Sequence, residues 1–529
     1  MSDTRVDEGL QDDEDAGRRE PTDAQLRRGL GGLASDVAFY GTTRVFLKSL
    51  AFLLVPLYAH FLTPAEFGVL ELVLAVAALV DVVIAANMDG VFARFYFDQE
   101  GRLWRRKIIT IYFLVESLYP AIVVGVLIGL ARVLSEAVFG VEIYALLFIV
   151  VLVDVYLTNI VDLPMTLARL RRKRATFAFY SLTRGLTQIV ISVLLVAVWE
   201  LGVKGILIAS LAAVGVAFVI TAREWVRDLV RQIDWRVARE MISFAWPGII
   251  GGLAFYTLNL VDRFFIQHYH GLADSGLYGI AFRYSQIVIV AVFAFRLGWA
   301  PWHYPWLNTD GHPSMVARGA TYYFFVVGFL VVLTSTWIRP AFELILPEDF
   351  HESSRAVAPL ALAAMATGAH RVFKVGIAVK KRMRLMAPLA VIAAGLAIGL
   401  YFLLIPPFSF VGAAWGTVAA LAAFALLVLA VSQRLYPVPW DWYRILLAAG
   451  GAAGIALAAL AIDAWVGMAV SIGPRVGLTL AFPLALLALG FFPPDDRAKL
   501  RAIARRLASR VRGKPHDPAG RGPGTEAPT

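Results

Sequence analysis

The chain has 529 residues, 59% of them hydrophobic and 17% charged, with a mean hydropathy of +0.69. A soluble domain carries nearer half apolar and a quarter charged residues, so the composition excludes a soluble globular protein and predicts a polytopic, all-α membrane protein. Cysteine is absent, which excludes disulfides and thiolate metal sites, and the net charge of +10 is distributed as membrane topology requires rather than as nucleic-acid binding does.

In chain order, residues 1–35 ("DEGLQDDEDAGRREPTD" within them) read as a disordered acidic tail without a cleavable signal peptide. A first block of six spans follows over 36–223, near 36–62, 67–97, 108–131, 143–168, 178–199 and 205–223. Residues 224–244 read as a cytoplasmic linker, and "REWVRDLVRQIDWRVARE" has an amphipathic helical pattern. A second block of six spans fills 245–436, near 245–268, 276–304, 316–339, 355–379, 387–405 and 411–436. Two further spans, near 444–466 and 475–492, lie in 437–492. The basic tail 493–529 sets Leu500, Ile503, Leu507 and Val511 on one helical stripe, a pattern for contact with anionic lipids. Each span has the roughly 20 apolar residues that a bilayer requires.

Fourteen spans put both termini on one side. With that side cytoplasmic, the inner loops hold 21 Lys and Arg residues and the outer loops five, Arg132, Lys204, Arg339, Arg355 and Arg475. That asymmetry satisfies the positive-inside rule for an inner, cytoplasmic membrane.

The two blocks are related. At an offset of 208, His60, Ala65 and Gly68 fall on His268, Ala273 and Gly276, Gly90 on Gly298, and Arg172, Lys173 and Arg174 on Lys380, Lys381 and Arg382. An even number of spans per block gives both the same orientation. The expected architecture is therefore two parallel six-helix bundles related by a pseudo-twofold along the membrane normal, with two C-terminal helices appended.

Nine cations fall inside spans: Arg44, Lys48, Arg94, Arg184, Arg263, Arg283, Arg296, Arg371 and Lys374. Each costs ~2.5–3.5 kcal/mol on insertion scales unless it faces protein or water. Arg44 with Lys48, and Arg371 with Lys374, share helical faces. Intramembrane acids (Asp81, Asp89, Glu116, Asp154, Asp162, Asp262 and Asp463) are fewer, so a net positive chamber for an anion is expected, and the planar fork of Arg suits phosphate oxygens. All nine cations are candidate substrate contacts. Asp262 and Arg263, as sequence neighbours, cannot share a helical face and are expected to find partners on other spans. Asp81 and Asp154 are candidates for a coupling proton or sodium ion. No Walker loop, dinucleotide motif, metal cluster or nucleophile motif stands out, so neither a cofactor nor an enzymatic reaction is expected.

The segments "FLTPAEFGVLELVLAV", "IDWRVAREMISFAWPGIIGGLAFYTLNLVDRFFIQHYHGLADSGLYGIAFRYSQIV" and "FVGAAWGTVAA" resemble the polysaccharide-transporter branch of the multidrug/oligosaccharidyl-lipid/polysaccharide (MOP) exporter superfamily, over about Asp36 to Tyr436. The resemblance implies a flippase that carries an undecaprenyl-pyrophosphate-linked oligosaccharide to the outer leaflet, in company with polysaccharide polymerase machinery. A lipid II flippase is the alternative within the superfamily. A membrane glycan polymerase or glycosyltransferase is the alternative outside it, disfavoured by the short outer loops and the parallel repeat.

Overall fold

The computed structural model describes residues 54–85, 88–99, 101–465 and 468–492, with a few scattered helical residues between Phe39 and Phe52. Most of the expected first span, including Arg44 and Lys48, lies outside the described residues, as do both tails. Among the described residues all regular structure is helical. Eleven helices there are long and apolar enough to cross a membrane.

After the helical stretch 54–61, the first half comprises α1 (Pro64–Ala85), α2 (Met88–Tyr96), α3 (Arg102–Gly129), α4 (Ala131–Phe139), α5 (Ala145–Leu170), α6 (Arg174–Val193) and α7 (Gly202–Val226). The second half comprises α8 (Trp235–Leu260), α9 (Asp262–His270), α10 (Leu272–His303), α11 (His312–Ile345), α12 (Ser354–Phe373), α13 (Val375–Val379) and α14 (Met386–Leu435). Last come α15 (Trp442–Trp465) and α16 (Met468–Ala488).

Local chemistry sets the helix ends. Thr63, Pro64 and Glu66 begin α1 as a capping box: the Thr63 amide donates to Glu66 Oε2 (2.9 Å) and the Glu66 amide to Thr63 Oγ1 (3.3 Å). Between the halves, the single amphipathic helix expected over 223–240 is broken. Residues 227–234 are non-helical, and the Asp234 carboxylate starts α8 by accepting from the amides of Arg236 (3.1 Å) and Val237 (3.3 Å). Arg106 fixes the break from α3, donating to the carbonyls of Arg227, Asp228 and Leu229. The 50 residues of α14 would reach ~75 Å, against a hydrocarbon core of ~30 Å. The element is two helices meeting at Ser409 (φ 49°, ψ −137°), just after Pro406 and Pro407. These are the separate spans expected at 387–405 and 411–436.

Without a hydrophobic driving force between helices in lipid, close packing and buried polar contacts hold the helices together. Leu118, Ile122 and Val126 lie one turn apart on α3 and are exposed, forming an apolar face suited to lipid. By contrast α12, rich in alanine and glycine, is almost wholly buried. A Cβ at Gly368 would lie 1.8 Å from Tyr323 Oη, whose hydroxyl donates to the Met365 carbonyl at 2.7 Å.

The halves meet along α1 and α10. There a Cβ at Gly68 would fall 1.9 Å from the Leu272 carbonyl oxygen, and a Cβ at Gly276 would fall 1.9 Å from the Pro64 carbonyl oxygen. Two backbones touch directly, which only glycine allows. Tyr256 of α8 adds a hydrogen bond to the Ala75 carbonyl of α1 (3.0 Å).

Candidate functional site

Of the charged groups that lie between the helices, three contain the expected site residues. The first is a buried ion cluster on the α1–α10 seam. Glu71 of α1 is 6% exposed and accepts from Arg263 Nε (3.1 Å) and from Arg283 Nε (2.8 Å) and Nη2 (2.5 Å). Arg263, 1% exposed, also donates to Asp262 Oδ1 (3.1 Å) and to the Asn259 carbonyl (3.0 Å), with its guanidinium over the Phe282 ring. Asp262 accepts in addition from the Tyr278 hydroxyl and from Thr417 Oγ1 (3.3 Å). The cluster ties α1 to α9, α10 and α14 and contains as many carboxylates as guanidiniums.

Asp262 and Arg263 find partners on other elements, Glu71 for the guanidinium and Tyr278 and Thr417 for the carboxylate, and they also pair with each other, the carboxylate accepting from its neighbour's amide (3.0 Å) as well as its guanidinium. Glu71 lies inside the second expected span, yet the sequence reading did not count it among the intramembrane acids. The available signal was a carboxylate in an apolar run opposite glycine (Gly279) at the repeat offset.

The second group lines a cavity of about 450 Å³ bounded by α1, α2, α5, α6, α7 and α10. Its walls carry Asp89, Asp154, Asp162, Arg169, Arg184 and Arg283, with Ser181, Gln188 and Ser210. Arg169 lies 3.6 Å from Asp89, which also accepts from Tyr112 Oη (2.7 Å). Arg184 donates to Thr158 Oγ1 (2.9 Å). Asp154 Oδ1 and Arg169 Nε are buried with no hydrogen-bond partner. The expectation of one net positive chamber needs correcting here: the described lining residues include three carboxylates and three guanidiniums, and one of the guanidiniums, Arg283, is already paired with Glu71.

The third group lines a smaller cavity, about 130 Å³, on the other side of α10 against α11 and α12. Arg296, Arg371 and Lys374 line it beside Trp299, His303, Tyr304 and Tyr323, and no carboxylate is among its lining residues. Arg371 Nε and Trp299 Nε1 are buried donors without an acceptor. A hydrogen-bonded chain fixes the cavity's end: His303 Nδ1 lies 3.1 Å from His312 Nε2, and His312 Nδ1 lies 2.7 Å from the Tyr436 hydroxyl.

Of the expected contacts, Arg296, Arg371 and Lys374 come together in the third group and Arg184 and Arg283 in the second. Arg263 is enclosed in the ion cluster. Arg94 lines neither cavity; it is exposed and lies over the Phe244 ring (4.6 Å). Asp154 lines the larger cavity, whereas Asp81 is exposed and lines neither. Gln188, Arg169, Trp299 and His303 are lining residues that sequence reasoning did not single out.

Comparison with known proteins gives the fold a context. Lipid II flippase MurJ, in an inward closed conformation, superimposes with a TM-score of 0.64 at 13% identity, over 86% of this chain and 99% of that one. An inward-facing multidrug resistance MATE family transporter of the MOP superfamily gives 0.62 at 12% identity, over 73% and 93%. A point mutant of the Vibrio cholerae MATE transporter VcmN gives 0.52 at 13% identity, over 77% and 97%. No curated protein matches in sequence. Residues 57–294 match the family described as polysaccharide biosynthesis protein. The similarity to that family is confined to this segment, and the chain is a multi-pass membrane protein with the fold seen in these transporters.

Proposed function

We propose that the chain is a flippase for a polyprenyl-pyrophosphate-linked oligosaccharide, moving it from the cytoplasmic to the outer leaflet of the bacterial inner membrane. The observation that carries this reading is the cation-only cavity. Three positive side chains face one small space, and two buried N–H donors there have no acceptor. Like charges held together in low dielectric are costly unless an anion joins them. A pyrophosphate supplies both the charge and the acceptors.

In this reading the chain has fourteen spans. The eleven helices are joined by the second half of α14, by Ile472–Ala488 and by a first span of which 54–61 is the end. The reciprocal contacts of Gly68 with Leu272 and Gly276 with Pro64 support a pseudo-twofold along the membrane normal, since the offset of 208 maps Gly68 onto Gly276 and Pro64 onto Leu272 and so exchanges the two contacts. The basic loops face the cytoplasm. The ion cluster then closes the outer end, and the cavities are reached from inside. Rocking of the halves about α1 and α10 would present the headgroup outward, with a proton or sodium gradient as a possible source of reset at Asp154.

The test is binding of a water-soluble dialkyl pyrophosphate to the purified chain, followed calorimetrically. Arg371→Ala and Lys374→Ala are each expected to weaken it roughly 10- to 100-fold, the range for losing one hydrogen bond to a charged group. Both variants should still insert yet fail to support surface glycan. Unchanged binding and normal glycan in both would remove this cavity from the transport path. The likeness to MurJ favours lipid II as the second substrate to try; rescue of cells depleted of their lipid II flippase would select it.

A further inference from the structure

We infer that the cavity of the first half, lined by charges of both signs, is a separate glycan subsite, built for hydroxyl-rich sugars without net charge, while the pyrophosphate occupies the cation-only cavity. This rests on the flippase reading and divides its substrate between two places.

The two cavities differ in chemistry. Around Arg296, Arg371 and Lys374 every charged lining residue is a cation. Around Asp89, Asp154 and Asp162 there are acceptors interleaved with the donors of Arg169, Arg184 and Arg283, and with Ser181, Gln188 and Ser210. A sugar hydroxyl donates one hydrogen bond and accepts others, so vicinal hydroxyls need donors and acceptors side by side. An ionised phosphate can only accept, and three carboxylates would repel it. A polyanionic glycan meets the same repulsion.

Two unmet groups sharpen the assignment. Asp154 Oδ1 is a buried acceptor without a donor, and Arg169 Nε is a buried donor without an acceptor. Burying such groups unpaired costs about 1–3 kcal/mol each; on one helix and fifteen positions apart, about 22 Å along its axis, they would be met by different rings of one oligosaccharide. The larger volume, about 450 Å³ against about 130 Å³, also suits rings rather than a diphosphate.

Geometry sets the length of the substrate. Arg283 and Arg296 lie on α10, one at each cavity. Thirteen residues separate them, about 20 Å along the helix axis. A substrate that occupied both cavities would have to span at least that distance, which several sugar rings reach and a single lipid-linked sugar does not. The glycan end reaches toward Glu71, and the pyrophosphate stays near the basic loops.

The experiment uses the full chain in lipid nanodiscs and two probes. One is the oligosaccharide released by mild acid from the lipid-linked pool that accumulates in cells lacking the chain. The other is the dialkyl pyrophosphate. Wild type should bind both. Asp154→Asn should weaken glycan binding at least tenfold and leave the pyrophosphate unaffected, and Arg371→Ala should do the reverse. Mass spectrometry of the released pool should find an oligosaccharide without an excess of acidic groups. A wild-type chain that fails to bind the released glycan overturns the subsite, as does an Asp154→Asn variant that binds it normally, or a polyanionic pool. If the dialkyl pyrophosphate fails to bind wild type, the flippase reading itself falls, independently of the glycan arm.

Discussion

Replacing Glu71 by alanine should destabilise the chain by about 3–5 kcal/mol, the range for removing one partner of a buried ion pair. The residue holds two guanidiniums at once, and that of Arg263 is 1% exposed. With Glu71 gone, Arg263 keeps Asp262 and the Asn259 carbonyl but loses its partner on α1, and Arg283 loses its carboxylate altogether. Water cannot readily replace those bonds at this depth. Glu71→Gln should fall between, because the amide keeps one acceptor oxygen but not the charge. The comparison variant is Glu352→Ala, whose pair with Arg355 is 60% and 55% exposed and should contribute within about 1 kcal/mol. Thermal unfolding of the purified protein in nanodiscs checks the order. A Glu71→Ala protein as stable as Glu352→Ala would mean the cluster does not hold the seam.

Gly276→Ala should be the more damaging of two otherwise similar glycine substitutions. An alanine Cβ would come 1.9 Å from the Pro64 carbonyl oxygen and 2.9 Å from the Gly68 amide nitrogen. Both are backbone atoms and cannot rotate aside, so α1 and α10 must separate. Overpacking costs about 1–3 kcal/mol where side chains can adjust, and this site belongs at or above that upper limit. Gly215→Ala meets nothing within 4 Å on α7 and should stabilise its helix by up to ~1 kcal/mol. Opposite signs for the two in the same unfolding assay are the expected result. Equal effects would show that the seam tolerates separation and is not a close contact in the membrane.

The spans were legible in the sequence because hydropathy depends on composition, which needs no knowledge of neighbours. Even the two halves of α14 were separable, since Pro406 and Pro407 interrupt the apolar run. The partners of the buried charges were not legible. Glu71 lies 192 and 212 positions from the arginines it holds, a pairing that only the seam creates. Asp262 and Arg263 were expected to find partners on other spans, but nothing local to them named Glu71, Tyr278 or Thr417 as those partners. Counting charges along the chain also merged two cavities into one. Their separation depends on which face of α10 each cation occupies, with Arg283 on one side and Arg296 on the other.

The reciprocal glycine contact has an evolutionary reading. A patch that meets its own counterpart under a half turn is what two copies of a shorter polypeptide would form as a homodimer. In such a dimer, position 71 and position 279 would carry the same side chain. Here Gly279 leaves the room that Glu71 fills, since a Cβ there would lie 2.3 Å from Glu71 Cγ. Joining the copies into one gene lets one keep the carboxylate and the other give way, so the asymmetric ion cluster is a feature that tandem duplication makes possible and a symmetric ancestor could not have held.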